Sequence, residues 1–259
     1  RPTVLTVHGW SFGQGVSRRR DRAYRLVERA SAALAHHFIV VSDYDAQRAA
    51  EVGIPSYRLT RIHNGVVDVE ERAHPGSGRP RVVMVARMAA PKRHDRLLEA
   101  LGGLKRLDWE LELIGTGPLE DALRRQVADE GLDDRVTFSG QCTDVSTRLA
   151  RASLFVLCSD HEGFPLSVIE AMRAGLPVLA EDVGGVREAV QEGASGHVVP
   201  IGEVAQLRER LQMLLSDASA RERMGAAARA DFSKRFDFRV QLEATKRVYA
   251  HVLGRASLT

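Results

Sequence analysis

Short apolar runs of strand length alternate with helical segments along this 259-residue chain, and no other feature limits its fold as much. TVLTVHG, HFIVVSDYD and RLTRIHNGVV come first. RVVMVAR, WELELIG, RVTFSG, SLFVLCS, LPVLAED and GHVVP follow. Apolar strands separated by helices predict α/β architecture, with parallel sheets covered on both faces. VSRRRDRAYRLVERASAALA reads as a helix with Arg on one side, and YDAQRAAEVG as a short helix ending at Gly53. Between the two sets of strands lies EERAHPGSGRP, rich in Gly and Pro and the best linker in the chain. The expected units are residues 1–70, a partial Rossmann-like unit, and 71–236, a complete one. A helix over 237–259 is expected to return to the first unit.

Bulk properties exclude several classes. With 44% hydrophobic and 27% charged residues, the chain is not disordered. A net charge of +3 permits an anionic ligand or membrane surface. Nucleic acid is disfavoured, because no long basic tract interleaves with aromatics. Cys142 and Cys158 have no metal spacing and are too few for a disulfide framework. They read as core residues of a reducing, cytoplasmic compartment. The longest apolar runs have strand length, so no membrane span is expected.

In a doubly wound sheet, ligands sit outside the carboxyl ends of the strands, so the strand-to-helix loops are the places to look. ARMAAPKRHD places Arg87 and Lys92 in one such loop, a pairing that suits a diphosphate. A solvated basic loop accounts for it equally well. LIGTGPLEDAL offers Gly115 and Gly117 after a strand, with Pro118 expected in the first helical turn. A dinucleotide fingerprint fails here, because Glu120 stands at the third glycine position. SDHEGFPLSVIEAM carries two acids eight residues apart, Glu162 in the loop and Glu170 within the next helix. A carboxylate among Val168, Ile169, Ala171 and Met172 needs a partner if buried, and sugar or ribose hydroxyls would supply one. The rival is a capping box from Ser167 to Glu170, which leaves a helix of about two turns and fits poorly with Pro165. Gly184 and Gly185 read better as a plain turn than as a ligand site. His8, at the end of the first strand, is structural or functional with even weight.

Taken together, these loops resemble the retaining glycosyltransferases of family four, which have the GT-B fold. ARMAAPK (Arg87, Lys92), LIGTGP (Gly115) and EGFPLSVIE, an E-x7-E signature (Glu162, Glu170), carry the resemblance, and GLPVLAEDVGGVREAV and IHNGV extend it. The resemblance implies a nucleotide-diphospho-sugar donor and no metal or other cofactor. It implies that Glu170 accepts hydrogen bonds from ribose hydroxyls, that Glu162 reaches the donor sugar, and that Arg87 and Lys92 neutralise the diphosphate. Backbone N–H groups near Leu166 and Ser167 at the helix start would help hold that diphosphate, with Gly163 and Phe164 also among the donor-binding residues and Gly140 and Gln141 near the base. His8 would lie near the reaction centre. HGWSFGQGVS resembles members that build bacterial exopolysaccharide and capsule, which implies a saccharide or lipid-linked acceptor. Nucleotide-sugar 2-epimerases share the architecture but resemble one another in a TERPE-like stretch where this chain reads DHEGFPLS.

Two further expectations concern the N-terminal part. Family members begin with a strand and a glycine-rich loop that Arg1 onward does not contain, so roughly 100 residues of a Rossmann half are expected to be missing. This piece alone is then a nucleotide-sugar binder that does not transfer sugar at a useful rate. SRRRDRAYRLVERA places Arg18, Arg19, Arg22, Arg25 and Arg29 largely on one helical face, with Leu26, Val27, Ala30 and Ala33 free to face the sheet. Such a stripe is a solvated face or a peripheral contact with the anionic inner membrane face.

Overall fold

The computed structural model describes residues 1–13 and 16–256. Gln14, Gly15 and the last three residues lie outside the described residues, and with them parts of the HGWSFGQGVS match and of the 237–259 unit.

Two parallel sheets organise the chain. The first has three strands, β1 (Val4–Val7), β2 (His37–Val40) and β3 (Leu59–Arg61), in that order. Between β1 and β2 runs helix α1 (Arg18–Ala32), and after β2 comes α2 (Asp43–Ala49). The strand read as HFIVVSDYD is therefore shorter than its apolar pattern suggests. Ser42 turns out of the sheet in extended conformation, and its hydroxyl accepts the Asp45 N–H as the α2 N-cap. The α2 segment closes through a 3₁₀ turn onto Gly53 at φ 79°, as YDAQRAAEVG predicts.

The second sheet has six strands: β4 (Arg81–Val85), β5 (Glu110–Ile114), β6 (Val136–Gly140), β7 (Leu154–Leu157), β8 (Val178–Glu181) and β9 (Gly196–Val199). Their spatial order is β6-β5-β4-β7-β8-β9, parallel throughout. The helices between them are α3 (His94–Gly102), α4 (Glu120–Asp129), α5 (Val145–Ala150), α6 (Leu166–Ala174) and α7 (Val186–Ala189). Three helices follow β9: α8 (Val204–Ser216), α9 (Ala218–Arg235) and α10 (Phe238–Ala256). The order reverses between β4 and β7, so the crevice outside their carboxyl ends is the topological switch point.

One large apolar core runs through the six-stranded sheet, with Leu113, Leu157 and Leu179 inaccessible to solvent. The chain crosses between the units twice, side by side. The Val66 N–H donates to the Phe236 carbonyl and the Phe238 N–H to the Val66 carbonyl, each at 3.0 Å. Beyond that crossing, Val248 and Val252 of α10 pack against Ile39 and Ile62 of the three-stranded unit.

Helix α1 departs from its expected packing. Leu26 and Val27 do not face the sheet; they are 70% and 60% exposed, and Ala30 and Ala33 are exposed too. The physical reason is the width of the sheet. It has three strands with β1 at its edge, and α1 packs its contacts instead against the 3₁₀ turn Ala50–Val52. Arg25 also leaves the expected free stripe, because it pairs with Asp21 and Glu51.

Candidate donor site at the switch point

The loops after β4 and β7 meet at the switch point and are joined along their backbones. The Arg93 N–H donates to the Cys158 carbonyl at 3.0 Å, and the Asp160 N–H to the Pro91 carbonyl at 2.9 Å. Lys92 and Ser159 form an isolated antiparallel bridge. This pairing brings two distant sequence motifs, ARMAAPK and DHEGF, to one place.

Not every cation of the first loop is available to a ligand. Arg93 pairs with Asp95 and Asp160, and Arg96 with Asp160 and buried Glu181. His94 is buried, and burial pushes its ring down to about 4, so it is neutral at pH 7. Arg87 is exposed, and its guanidinium has no hydrogen-bond or ion-pair partner among the described residues. Lys92 forms an ion pair with Glu162, their side chains 19% and 10% exposed.

The second loop is held from behind by glycines. At Gly115 φ is +134°, and a Cβ there would lie 2.2 Å from the Ala86 carbonyl oxygen; one at Gly117 would lie 2.2 Å from that of Met88. Both glycines therefore let the β5 loop press against the Arg87 loop. Pro118 is not in the first helical turn as expected. α4 starts at Glu120, because the Gly117 carbonyl closes a tighter turn on the Glu120 N–H and the first i→i+4 bond is made by the Leu119 carbonyl. Arg87, Gly115 and Gln141 line one cavity of about 420 Å³, together with Thr116 and Cys142. The Gly140 carbonyl accepts the Gly115 N–H at 2.8 Å.

The stretch around the two acids starts its helix one residue later than expected, with Pro165 as the residue before α6 and Gly175 ending it at φ 85°. No side chain caps the first turn, so the capping-box alternative from Ser167 to Glu170 does not form. Leu166 and Ser167 thus present an open helix N-terminus at the loop edge. Glu170 lies in the fifth position of α6, partly buried, with no hydrogen-bond partner among the described residues. Burial pushes its carboxyl above the ordinary value, an effect the neighbouring Arg173 guanidinium only partly offsets. Arg173 itself is tied to the Val67 carbonyl and the Ser146 hydroxyl, each at 2.9 Å.

Phe164 differs from the rest of this stretch. Its ring is buried between His63, stacked on it at a centroid distance of 4.6 Å, and Phe236. Its carbonyl accepts the Asn64 amide. The ring of Phe164 therefore joins the two units and does not face the loop opening.

His8 is exposed at the end of β1, and its backbone faces the same loop: a Cβ at Gly163 would lie 2.6 Å from the His8 carbonyl oxygen. Several supporting residues had no clear signal in the sequence. Gly184, read as a plain turn, sits where a Cβ would lie 2.1 Å from the Glu162 carbonyl oxygen, and the Gly185 N–H donates to the Gly163 carbonyl at 2.7 Å. Glu188 accepts the Asp43 and Tyr44 N–H groups and contacts the His63 ring at 2.9 Å. Asp45 is buried beside Gly163 and Ser42, and burial raises its carboxyl. Among the described residues, no group of three or more His, Cys, Asp or Glu side chains is placed to hold a metal ion.

The family model described as "Glycosyl transferases group 1" matches residues 69–231, and that described as "Glycosyltransferase Family 4" matches residues 1–70. The chain belongs to the group 1 glycosyl transferases. The chain is 36% identical over 207 residues to a phosphatidyl-myo-inositol mannosyltransferase of Mycobacterium leprae, a match covering 76% of this chain and 54% of that one. It is 31% identical to the GDP-mannose:cellobiosyl-diphosphopolyprenol alpha-mannosyltransferase of Xanthomonas campestris, covering 98% of this chain and 66% of that one. The chain thus spans between about half and two thirds of these relatives. Among solved structures, Anabaena HepE in complex with UDP-glucose superposes with a TM-score of 0.85 at 22% identity, covering 96% of this chain and 72% of that one. The sucrose-phosphate synthase of Thermosynechococcus elongatus does so with a TM-score of 0.84 at 25% identity, covering 97% and 68%. The fold is GT-B.

Proposed function

We propose that this chain carries the donor site of a retaining glycosyltransferase that moves a hexosyl unit from a nucleotide-diphospho-sugar to a saccharide or lipid-linked acceptor. The observation that carries the reading is the Lys92–Glu162 pair beside the open α6 N-terminus at the switch point, with Arg87 in the same loop as Lys92 and lining the adjacent cavity. Two cations and a helix end suit a diphosphate leaving group, and they stabilise charge as it develops there. Glu170 offers a desolvated carboxylate that ribose hydroxyls would satisfy. The cavity lined by Gly115, Gln141 and Cys142 is large enough for a nucleobase. In the reaction, the bond from the anomeric carbon to the phosphate oxygen breaks. The acceptor oxygen attacks on the same face, and its proton passes to the leaving phosphate. Glu162 would reach the sugar at that carbon, and His8, whose carbonyl lies against Gly163, would be near it.

A lipid-linked acceptor is supported by the relatives, whose names specify a diphosphopolyprenol and a phosphatidylinositol. A role in cell-surface polysaccharide synthesis follows as part of this proposal, as does a place at the cytoplasmic membrane face. No helix among the described residues is long and apolar enough to cross a membrane. The contact would be made by α1, whose Arg18, Arg19 and Arg22 are exposed together with Leu26 and Val27. Cosedimentation with anionic vesicles should be weak, salt-sensitive and lost when those three arginines become Gln; binding indifferent to both would reduce the stripe to a solvated face.

Calorimetry of the 259-residue chain against UDP, GDP and ADP sugars tests the central reading. At least one base class should bind, and Arg87→Ala should weaken it by about 1–3 kcal/mol. Failure of every donor to bind would overturn the assignment.

A further inference from the structure

Two groups of the proposed donor site are paired with each other. Lys92, the cation proposed for the diphosphate, is already neutralised by Glu162, the acid proposed for the sugar. Both side chains are largely withdrawn from water, so neither is idle on the surface. The backbones that carry them cannot follow a ligand easily. The Lys92 N–H is bonded to the Ala89 carbonyl and Arg93 to the Cys158 carbonyl, while the Glu162 carbonyl is pressed against Gly184. What can move is the pair of side chains. Arg87, by contrast, stands exposed at the same loop, and its guanidinium has no partner to leave among the described residues.

We propose that the Lys92–Glu162 pair is a side-chain switch that the donor opens and that recloses to expel the nucleoside diphosphate after transfer. The proposal rests on the donor-site reading given above. A diphosphate and the Glu162 carboxylate compete for one ammonium, and a neutralised ammonium offers an incoming anion little net attraction. Arg87 makes the first contact, and Lys92 then exchanges its carboxylate for phosphate oxygens. Glu162, released, accepts hydrogen bonds from the sugar hydroxyls, so an intact donor compensates both partners of the broken pair. Once the sugar has left, Glu162 has no hydroxyls to accept from. Its carboxylate returns to Lys92 and displaces the remaining nucleoside diphosphate. Donor and product are thus distinguished by whether Glu162 has somewhere else to go.

The test is a double-mutant cycle on the 259-residue chain, read by calorimetry with UDP and GDP and with their sugars. Glu162→Gln should tighten the nucleoside diphosphate by roughly three- to tenfold, while the nucleotide sugar gains less or loses affinity. In a Lys92→Met background the same Glu162→Gln change should alter the diphosphate affinity by less than about twofold, because its effect acts through Lys92. A Glu162→Gln chain that binds nucleoside diphosphate no better than wild type overturns the switch. So does an equal gain in the Lys92→Met background, which would reduce the effect to the loss of a nearby negative charge. If Lys92→Met alone leaves the affinity at the wild-type value, the donor-site assignment of Lys92 fails, and the switch with it. Thermal melts of all four chains, followed at Trp109, identify any variant that has lost its fold.

Discussion

The two sheets were built by the same alternation of apolar runs and helices, yet only one of them is saturated. The six-stranded unit covers both faces of its sheet, and its strands β7 and β8 are buried throughout. The three-stranded unit divides its apolar contacts between two smaller clusters, and one of these depends on Val248 and Val252 of α10. It leaves Leu26, Val27 and Leu34 largely exposed. Burial, and not the pattern that predicts it, decides how much a given apolar residue contributes. The difference also sorts function, since the proposed diphosphate ligands sit on the saturated unit, where short strands fix the loop positions.

The largest expected effect exploits that contrast directly. Leu157→Ala, at the carboxyl end of β7 and fully buried, should cost about 3 kcal/mol of stability, within the range for deleting a buried leucine. Leu26→Ala on α1 should stay within about 0.5 kcal/mol, as surface changes do. The chain's two tryptophans, both buried, report the units separately, Trp10 in the smaller and Trp109 in the larger. Denaturant titrations of single-tryptophan versions would show whether the loss is confined to the Trp109 signal. A comparable cost at Leu26 would mean that α1 packs on something in solution that covers it.

The same contrast governs what could be read without coordinates. The nine strands among the described residues were all legible, because each is a short apolar run bounded by turn residues, and the open helix after EGFP followed from Pro165 and Gly175. Boundaries failed where a polar residue took a backbone role. Ser42 ended β2 early by capping α2, and a tighter turn from the Gly117 carbonyl to the Glu120 N–H set the start of α4 past Pro118. The face of α1 failed because periodicity shows which residues share a face and says nothing about whether a partner surface is wide enough. At the site, Arg87, Lys92, Glu162 and Glu170 stood out as charges beside strand ends. The ring of Phe164 stacks between the two units, a role the sequence did not signal, because an aromatic ring in a ligand loop and one in an inter-unit stack look alike in sequence. Gly184, Glu188 and Asp45 were missed as supports for the loop, since each acts on a residue far away in the chain.

The next effect concerns Glu170 of the saturated unit, whose partly buried carboxylate has no hydrogen-bond partner among the described residues. Glu170→Ala should weaken nucleoside diphosphate binding by about 2 kcal/mol through lost charge-assisted hydrogen bonds. The pH dependence has a definite sign. Burial holds the Glu170 carboxyl above 4.5, and the protonated acid is a poorer acceptor for ribose hydroxyls. Affinity should therefore be constant at neutral pH and fall as the pH drops into that raised range. Glu170→Gln should remove this acidic limb and, by deleting a desolvated charge with no partner, should not lower the melting temperature at pH 7. An unchanged acidic limb in the Gln variant would assign it to another group.

The smallest effect tests how tightly the two units are joined. Glu188, on the larger unit, accepts two N–H groups at the start of α2 on the smaller one and contacts His63. Burial pushes its carboxyl up, but those three bonds outweigh it, and the group ends below its ordinary value of 4.5. A carboxylate with a depressed folded-state value adds stability above its unfolded value, and that stability is lost as the pH falls through the folded one. Glu188→Gln should therefore cost about 1 kcal/mol at pH 7, comparable to losing a helix cap, and nearly nothing in strong acid. The cost should appear chiefly in the Trp10 transition, because the smaller unit has less core of its own. If instead Trp10 and Trp109 shift together at neutral pH, the two units unfold as one despite their unequal cores. The Glu188 contact would then be a minor part of an interface carried by the His63–Phe164–Phe236 stack and α10.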